Sequence, residues 1–186
     1  MEEKLSNQDA AKAPERIETV RLVLRRFIEA DRAEMVRFYG DPEVMSIRKY
    51  GARGPEAASA AFDVLKRHWD EHGFGLYAVV EKESGGFCGE CGLRYADDGD
   101  AGEIELSYGL FPTFRGKGYA TEAAKAARDA AMTVLELPLL VARSRGDNTG
   151  SHKVLEKLGM TLVDRYDVPG QSHGVVKYEL VRTTGS

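Results

Sequence analysis

No stretch of about 18 consecutive apolar residues occurs in this chain, so no segment reads as a helix that spans a bilayer. The opening residues, Met1-Glu-Glu-Lys-Leu-Ser-Asn-Gln-Asp-Ala10, are polar and acidic and lack the apolar core of a secretory signal. Positive charge is not in excess either. The formal net charge is -4, which argues against bulk attraction to nucleic acid or to an anionic membrane surface and confines any anion site to a local patch. Internal repeats and low-complexity blocks are also missing. What remains is the profile of a cytoplasmic globular chain, expected to form one domain over residues 16–184 behind a flexible tail at 1–15.

Cysteine is nearly absent as well. Cys88 and Cys91 are the two in the chain, and their C-x-x-C spacing invites a metal or redox reading. No second Cys/His pair at ligand spacing completes a zinc site. The surrounding Gly86-Phe-Cys-Gly-Glu-Cys-Gly-Leu-Arg94 reads as a strand, where residues three apart face opposite ways. Two small residues filling a strand with a glycine-assisted bulge is the expected role, with no chemistry and no metal.

What the chain does have is a Gly-rich turn with two cations, Phe114-Arg115-Gly116-Lys117-Gly118-Tyr119-Ala120. Before it, Glu103-Ile-Glu-Leu-Ser-Tyr-Gly-Leu110 alternates with the period of a half-buried strand. After it, Ala120, Ala123, Ala124, Ala127, Ala131, Val134 and Leu135 recur at helical spacing. A strand, a glycine turn and a helix start leave backbone N–H groups pointing outward, an arrangement suited to a pyrophosphate, with Arg115 and Lys117 adding charge. The order is wrong for a P-loop, and Gly116-Lys-Gly118-Tyr-Ala-Thr121 lacks the third glycine of a dinucleotide fingerprint.

The remaining pattern predicts a strand at about 18–26, helices at about 30–39 and 55–72, and a short helical piece after Pro42. Strands follow at about 75–82, 86–95 and 102–110. Beyond the Gly-rich turn and its helix come a short strand at 139–142, a helix at 149–158 closed by Gly159, and strands at about 160–167 and 174–182. That order is α+β, with a mixed and mostly antiparallel sheet of about seven strands flanked by helices.

The Gly-rich run resembles the acyl-coenzyme A motif [Q/R]-x-x-G-x-[G/A] of the GNAT N-acetyltransferase superfamily, here Arg115-x-x-Gly118-x-Ala120. Asn148-Thr-Gly-Ser151-His-Lys-Val154-Leu-Glu-Lys-Leu-Gly159-Met160 resembles a second block of that superfamily. Thr19-Val-Arg21-Leu22-Val23-Leu24-Arg25 resembles the opening strand of its ribosomal-protein N-terminal (alanine) acetyltransferase-like branch. Asp41-Pro-Glu-Val-Met45 and Gly73 to Val80 fall in the same order.

The resemblance implies a GNAT fold and acetyl transfer from acetyl-CoA, without a metal, to a primary amine. The acceptor would be a small molecule or a protein N-terminus, attacking directly in a ternary complex. It implies a cofactor site of Gly109, Leu110, Phe111, Arg115, Gly116, Lys117, Gly118, Tyr119 and Ala120, with Asn148 and Ser151. Backbone N–H groups of Gly109-Leu110-Phe111 would meet the oxyanion. Glu105, three residues before Tyr108, takes the position of the usual base, while Glu103 is expected on a solvated strand face. The resemblance also makes Asn148 a catalytic candidate that bonds the pantetheine arm or the reacting amine, beside its reading as an N-cap. Where many relatives carry a thiolate-protonating tyrosine this chain has Leu155, so Ser151 is the expected local proton source, and His152 is expected on the surface.

Arg48 to Arg53 and Lys66 to His72 are expected to wall the acceptor pocket, with Trp69 and Phe74 in the core. No nucleic-acid or membrane partner is implied, and a homodimer is left open. The runner-up is a GNAT-fold module that binds acyl-CoA as a sensor or partner surface without transferring acetyl. A phosphotransferase ranks below both, for want of a magnesium carboxylate and the P-loop Lys-Ser/Thr.

Overall fold

The computed structural model describes residues 11–48, 51–96, 102–170 and 172–183. Its eight strands are β1 Arg16–Glu18, β2 Leu22–Arg25, β3 Leu76–Glu81, β4 Phe87–Tyr95, β5 Ile104–Leu110, β6 Leu139–Arg145, β7 Thr161–Tyr166 and β8 Val175–Val181. They form one sheet in the order β1-β2-β3-β4-β5-β6-β8-β7. Every pairing is antiparallel except β5 with β6. Five helices join them: α1 Arg32–Gly40, α2 Pro42–Met45, α3 Pro55–His72, α4 Tyr119–Thr133 and α5 Thr149–Lys157.

The eighth strand comes from splitting the expected strand at 18–26. Thr19 N–H bonds the Leu22 carbonyl at 3.0 Å, which folds the chain back on itself and leaves Val20 exposed at the tip. Upstream, Ala13 is buried, its N–H bonds the Gly73 carbonyl, and the Pro14 carbonyl accepts from Tyr77 Oη at 2.8 Å. Residues 13–15 therefore pack on the domain; of the expected tail, residues 1–10 lie outside the described residues.

The sheet's alternation sorts side chains onto two cores. Leu106, Leu110, Leu140, Ala142, Val176 and Tyr178 face α4 and α5, where Ala123, Ala124, Ala127 and Ala131 let α4 lie close on the strands. On the opposite face, Leu76, Ala78 and Phe111 pack with Met35 and Phe38 of α1 and Phe62 of α3. Each large apolar side chain buried in this way stabilises the fold by about 1.5–3 kcal/mol. Trp69 joins the core as expected and donates Nε1–H to the Leu76 carbonyl at 2.8 Å.

One expectation is overturned here. Val79 pairs with Gly89 but Val80 with Phe87, so Cys88 is the extra residue of a bulge. The bulge resets the alternation and brings Cys88 and Cys91 to the same, α4-facing core instead of opposite faces. Both thiols are free and buried. Burial pushes the Cys88 thiol up to about 12 and that of Cys91 higher still.

Candidate active site

The feature that makes a site is a break in the sheet. β5 and β6 share a single parallel pairing, Glu105 with Val141. Beyond it the strands part, and a cavity of about 1170 Å³ opens there. The cavity is lined from α2 and α3 on one side of the sheet and from α4 and α5 on the other, so the gap connects two half-sites.

On the α4 side lies the Gly-rich turn. Gly116 and Gly118 sit at φ 75° and 82°, a region that costs other residues strain. Gly118 is the N-cap of α4 and no side chain caps the helix, so its first N–H groups stay available to an anion. Gly116, Gly118, Tyr119 and Ala120 all line the cavity. The side chains behave less uniformly. Arg115 lines the cavity but also holds the Leu110 carbonyl at 3.0 Å and Glu43 at 3.3 Å. Tyr119 turns its hydroxyl to Glu81 at 2.5 Å, away from the turn. Lys117 lies over the Phe114 and Tyr119 rings, and its carbonyl accepts from Arg21 at 2.8 Å.

The oxyanion expectation narrows. Phe111 N–H donates to the Cys88 carbonyl at 2.9 Å. Antiparallel ladders alternate, so this bond fixes the N–H groups of Gly109 and Phe111 toward β4 and turns those of Tyr108 and Leu110 toward the gap. Of the three expected donors, Leu110 alone faces the cavity.

Asn148 caps α5, its Oδ1 accepting from Ser151 N–H at 3.2 Å. Ser151 in turn meets Tyr108 of β5, with 2.8 Å between the two hydroxyl oxygens. Burial raises the Tyr108 hydroxyl, and the Ser151 hydrogen bond draws it partly back. Leu155, in the tyrosine position, is buried core. His152 is not the free surface residue expected: it is half-buried, and its Nε2 lies 2.9 Å from the Arg145 carbonyl.

Glu103 and Glu105 share the opposite face, as a period of two requires. Glu105 is buried, with Oε1 accepting from Arg94 at 2.9 Å and Oε2 from Arg143 at 3.2 Å. Glu103 is not solvated as expected. Its side chain is 9% exposed and paired with Arg143 and with Lys177. Burial would raise its carboxyl, but the hydrogen bonds from Arg143 and Lys177 outweigh this and hold it below the usual range.

A family model described as an acetyltransferase (GNAT) domain matches residues 21–161. The chain belongs to the GNAT acetyltransferases. It is 31% identical over 148 residues to the uncharacterized N-acetyltransferase p20 of Bacillus licheniformis, covering 77% of this chain and 81% of that one. An acetyltransferase structure from Agrobacterium tumefaciens str. C58 is 28% identical, with a TM-score of 0.76 over 90% of this chain and 94% of that one. The ribosomal L7/L12 alpha-N-protein acetyltransferase RimL, solved in complex with coenzyme A, is alike in fold: TM-score 0.77 at 16% identity, covering 90% and 98%.

The sequence reading of this acetyltransferase passed over two residues that line the same cavity, Glu90 and Tyr39. Glu90 of β4 is fully buried, its Oε2 accepting from Tyr39 Oη at 2.7 Å and its Oε1 from Arg48 Nη1 at 2.5 Å. Gly89 and Gly92 beside it read as strand punctuation, and a lone Glu between two glycines carries no motif. Its one signal is a charged residue at an inward position of a strand, visible once the bulge fixes the register. Of the two expected acceptor walls, Arg48, Arg53 and His68 do line the cavity; Lys49 and Tyr50 lie outside the described residues.

Proposed function

We propose that this enzyme moves the acetyl group of acetyl-CoA to a primary amine, of a small molecule or a protein N-terminus, by direct attack in a ternary complex. The observation that carries it is the β5–β6 gap. It joins an anion cradle on one face of the sheet to a second half-cavity on the other, so a thioester and an amine can meet from opposite sides. The uncapped α4 N-terminus and Gly116–Gly118 suit the pyrophosphate of coenzyme A, and Lys153 and Lys157 of α5 line the same side. When bound, acetyl-CoA supplies the activated acetyl thioester.

The protein's own groups do the rest. Leu110 N–H, aimed into the gap, stabilises the charge that develops on the acyl oxygen. Glu105 accepts the proton of the incoming ammonium. Both its oxygens are held by guanidiniums, so the proton passes through a water. On the other side, Ser151 would hand the departing thiolate a proton, replenished from Tyr108 at 2.8 Å. Asn148 sets the start of α5 and with it Ser151. Among the described residues, no helix is long and apolar enough to cross a membrane.

The test is thiol release from acetyl-CoA over a panel of amines, with mass spectrometry of the acetylated acceptor. Amine-dependent thiol release with an N-acetylated product is expected. Thiol release without any acetylated amine would mean hydrolysis of the thioester instead of transfer, and stabilisation by acetyl-CoA with no turnover on any amine would leave only a binding module.

A further inference from the structure

The cavity is far more basic than the protein around it. Acidic residues outnumber basic ones in the chain, 30 to 26. Among the described residues that line the cavity, six arginines and two lysines face two carboxylates, Glu90 and Glu105. Coenzyme A phosphates account for Arg115, Lys153 and Lys157, which belong to the cradle side. They do not account for Arg48, which stands with Glu90 and Glu105 on the acceptor side of the sheet. Arg143, by contrast, is tied to Glu103 and Glu105.

Arg48 is placed with care. Its Nη1 is anchored by Glu90, which is itself held by Tyr39, while its Nη2 is buried and has no acceptor among the described residues. The guanidinium lies against Gly109, where a Cβ would collide with Nη2. Gly109 pairs with Glu90 and immediately precedes Leu110, whose N–H faces the gap. A guanidinium arm without an acceptor is costly in an interior, and a carboxylate is the group its fork geometry matches. Because Arg48 adjoins the reaction centre, the carboxylate it serves must lie within a bond or two of the attacking nitrogen.

Exposed apolar side chains also line the same half-cavity. Ile47, Val64 and Tyr95 are 42%, 55% and 40% exposed, and all three line the cavity with buried Val44 and Met45 behind them. Apolar side chains exposed together around a concave site mark a surface that a ligand covers.

We infer that the acceptor is a free α-amino acid with an apolar side chain. Arg48 takes its carboxylate, the Ile47–Val64–Tyr95 rim takes its side chain, and the α-amine is left facing the gap. This rests on the acetyltransferase reading above and narrows its acceptor. Polycationic amines are disfavoured by the same arginines.

The experiment compares leucine and phenylalanine with leucinamide, phenylethylamine, a Leu-Gly dipeptide and spermidine, each with acetyl-CoA and the full chain. Leucine or phenylalanine is expected to have the highest kcat/KM, at least about 10-fold above the amide and the decarboxylated amine. Arg48→Met combined with Glu90→Gln, which leaves no buried charge unpaired, should erase that preference, mainly through KM. Val64→Ser, at an exposed position, should lower kcat/KM for leucine relative to alanine.

A preference for the amide, the dipeptide or spermidine overturns the inference. So does a double variant that slows every acceptor equally, because Arg48 then serves the acyl oxygen or the fold. Stabilisation by coenzyme A with no turnover of either free amino acid also overturns it. Failure of coenzyme A to stabilise the protein at all instead removes the acetyltransferase reading beneath it.

Discussion

Tyr108 of β5 and Ser151 of α5 meet hydroxyl to hydroxyl at 2.8 Å, joining the end of one strand to the start of a helix more than forty residues later. The contact spans the gap where β5 and β6 part. On the proposed mechanism it would give a chain without the usual tyrosine a different route for a proton to reach sulfur. Ser151→Ala should therefore lower kcat by roughly 10- to 100-fold while leaving the affinity for acetyl-CoA nearly intact. Tyr108→Phe should produce a smaller loss in the same direction, since water can replenish the serine. Steady-state kinetics with both substrates varied separates the two; a rise in KM for acetyl-CoA with kcat unchanged would count against the relay.

Restoring the tyrosine should not help. Leu155 is 1% exposed and packed in the α4-side core. Leu155→Tyr adds volume and a hydroxyl to a filled site, at a cost of about 1–3 kcal/mol. The expected result is a lower denaturation midpoint with no gain in kcat.

Glu105 sits between Arg94 and Arg143 inside the cavity. Glu105→Gln should reduce acetylation by about 10²-fold or more at neutral pH and be partly rescued as pH rises, because the substrate then supplies its own free amine. Acetyl-CoA binding should hardly change. Full activity across the pH range would pass the role to Glu90, the other carboxylate lining the cavity.

Acetyl-CoA should stabilise the fold, because the cradle exists only when folded. At about 100-fold excess over Kd, one-site linkage gives about 2.7 kcal/mol, or roughly 5–10 °C in Tm for a chain of this size. Gly118→Glu should abolish the shift: the residue holds φ 82° at the N-cap of α4, and a carboxylate there repels the pyrophosphate. A Tm that coenzyme A and acetyl-CoA leave unmoved would remove the cofactor from this site.

Acid should weaken the protein through its paired carboxylates. The Glu103 and Glu122 carboxyls are both held below the usual carboxylate range in the folded chain. In each, burial raises the carboxyl but is outweighed, for Glu103 by Arg143 and Lys177 and for Glu122 by Thr19 and Arg21. A depressed folded pKa contributes stability that is present above the unfolded value and is lost as pH falls through the folded one. Tm should hold down to about pH 5 and decline below about 4.5, with a shallower slope in Glu103→Gln. A scan of Tm against pH checks this, and an unchanged slope in the variant would show that the Glu103 ion pairs are not involved.

Local physics made much of this chain legible in advance. The helix at 55–72 and the alternation of 104–110 depend on spacing and on Gly and Pro signals that a short window contains. The Gly-rich turn was legible for the same reason, since a strand, two glycines and a helix start are contiguous. Asn148 as an N-cap followed from residue type and position alone.

Three matters were settled only by the packed sheet. The bulge at Cys88 moved a thiol from one face to the other, because a single extra residue reverses the alternation on which facing is read. Glu103 became an interior ion pair because Arg143 and Lys177 arrive from strands 40 and 74 residues away, a charge balance that no short window contains. The site itself, with Tyr108 against Ser151 and Arg48 against Glu90 and Gly109, exists because β5 and β6 separate after one pairing. Sequence decides which groups are present and which way each local segment bends. The distance between groups far apart in the chain is decided by strand register and by where a sheet opens, and these depend on contacts distributed over the whole fold.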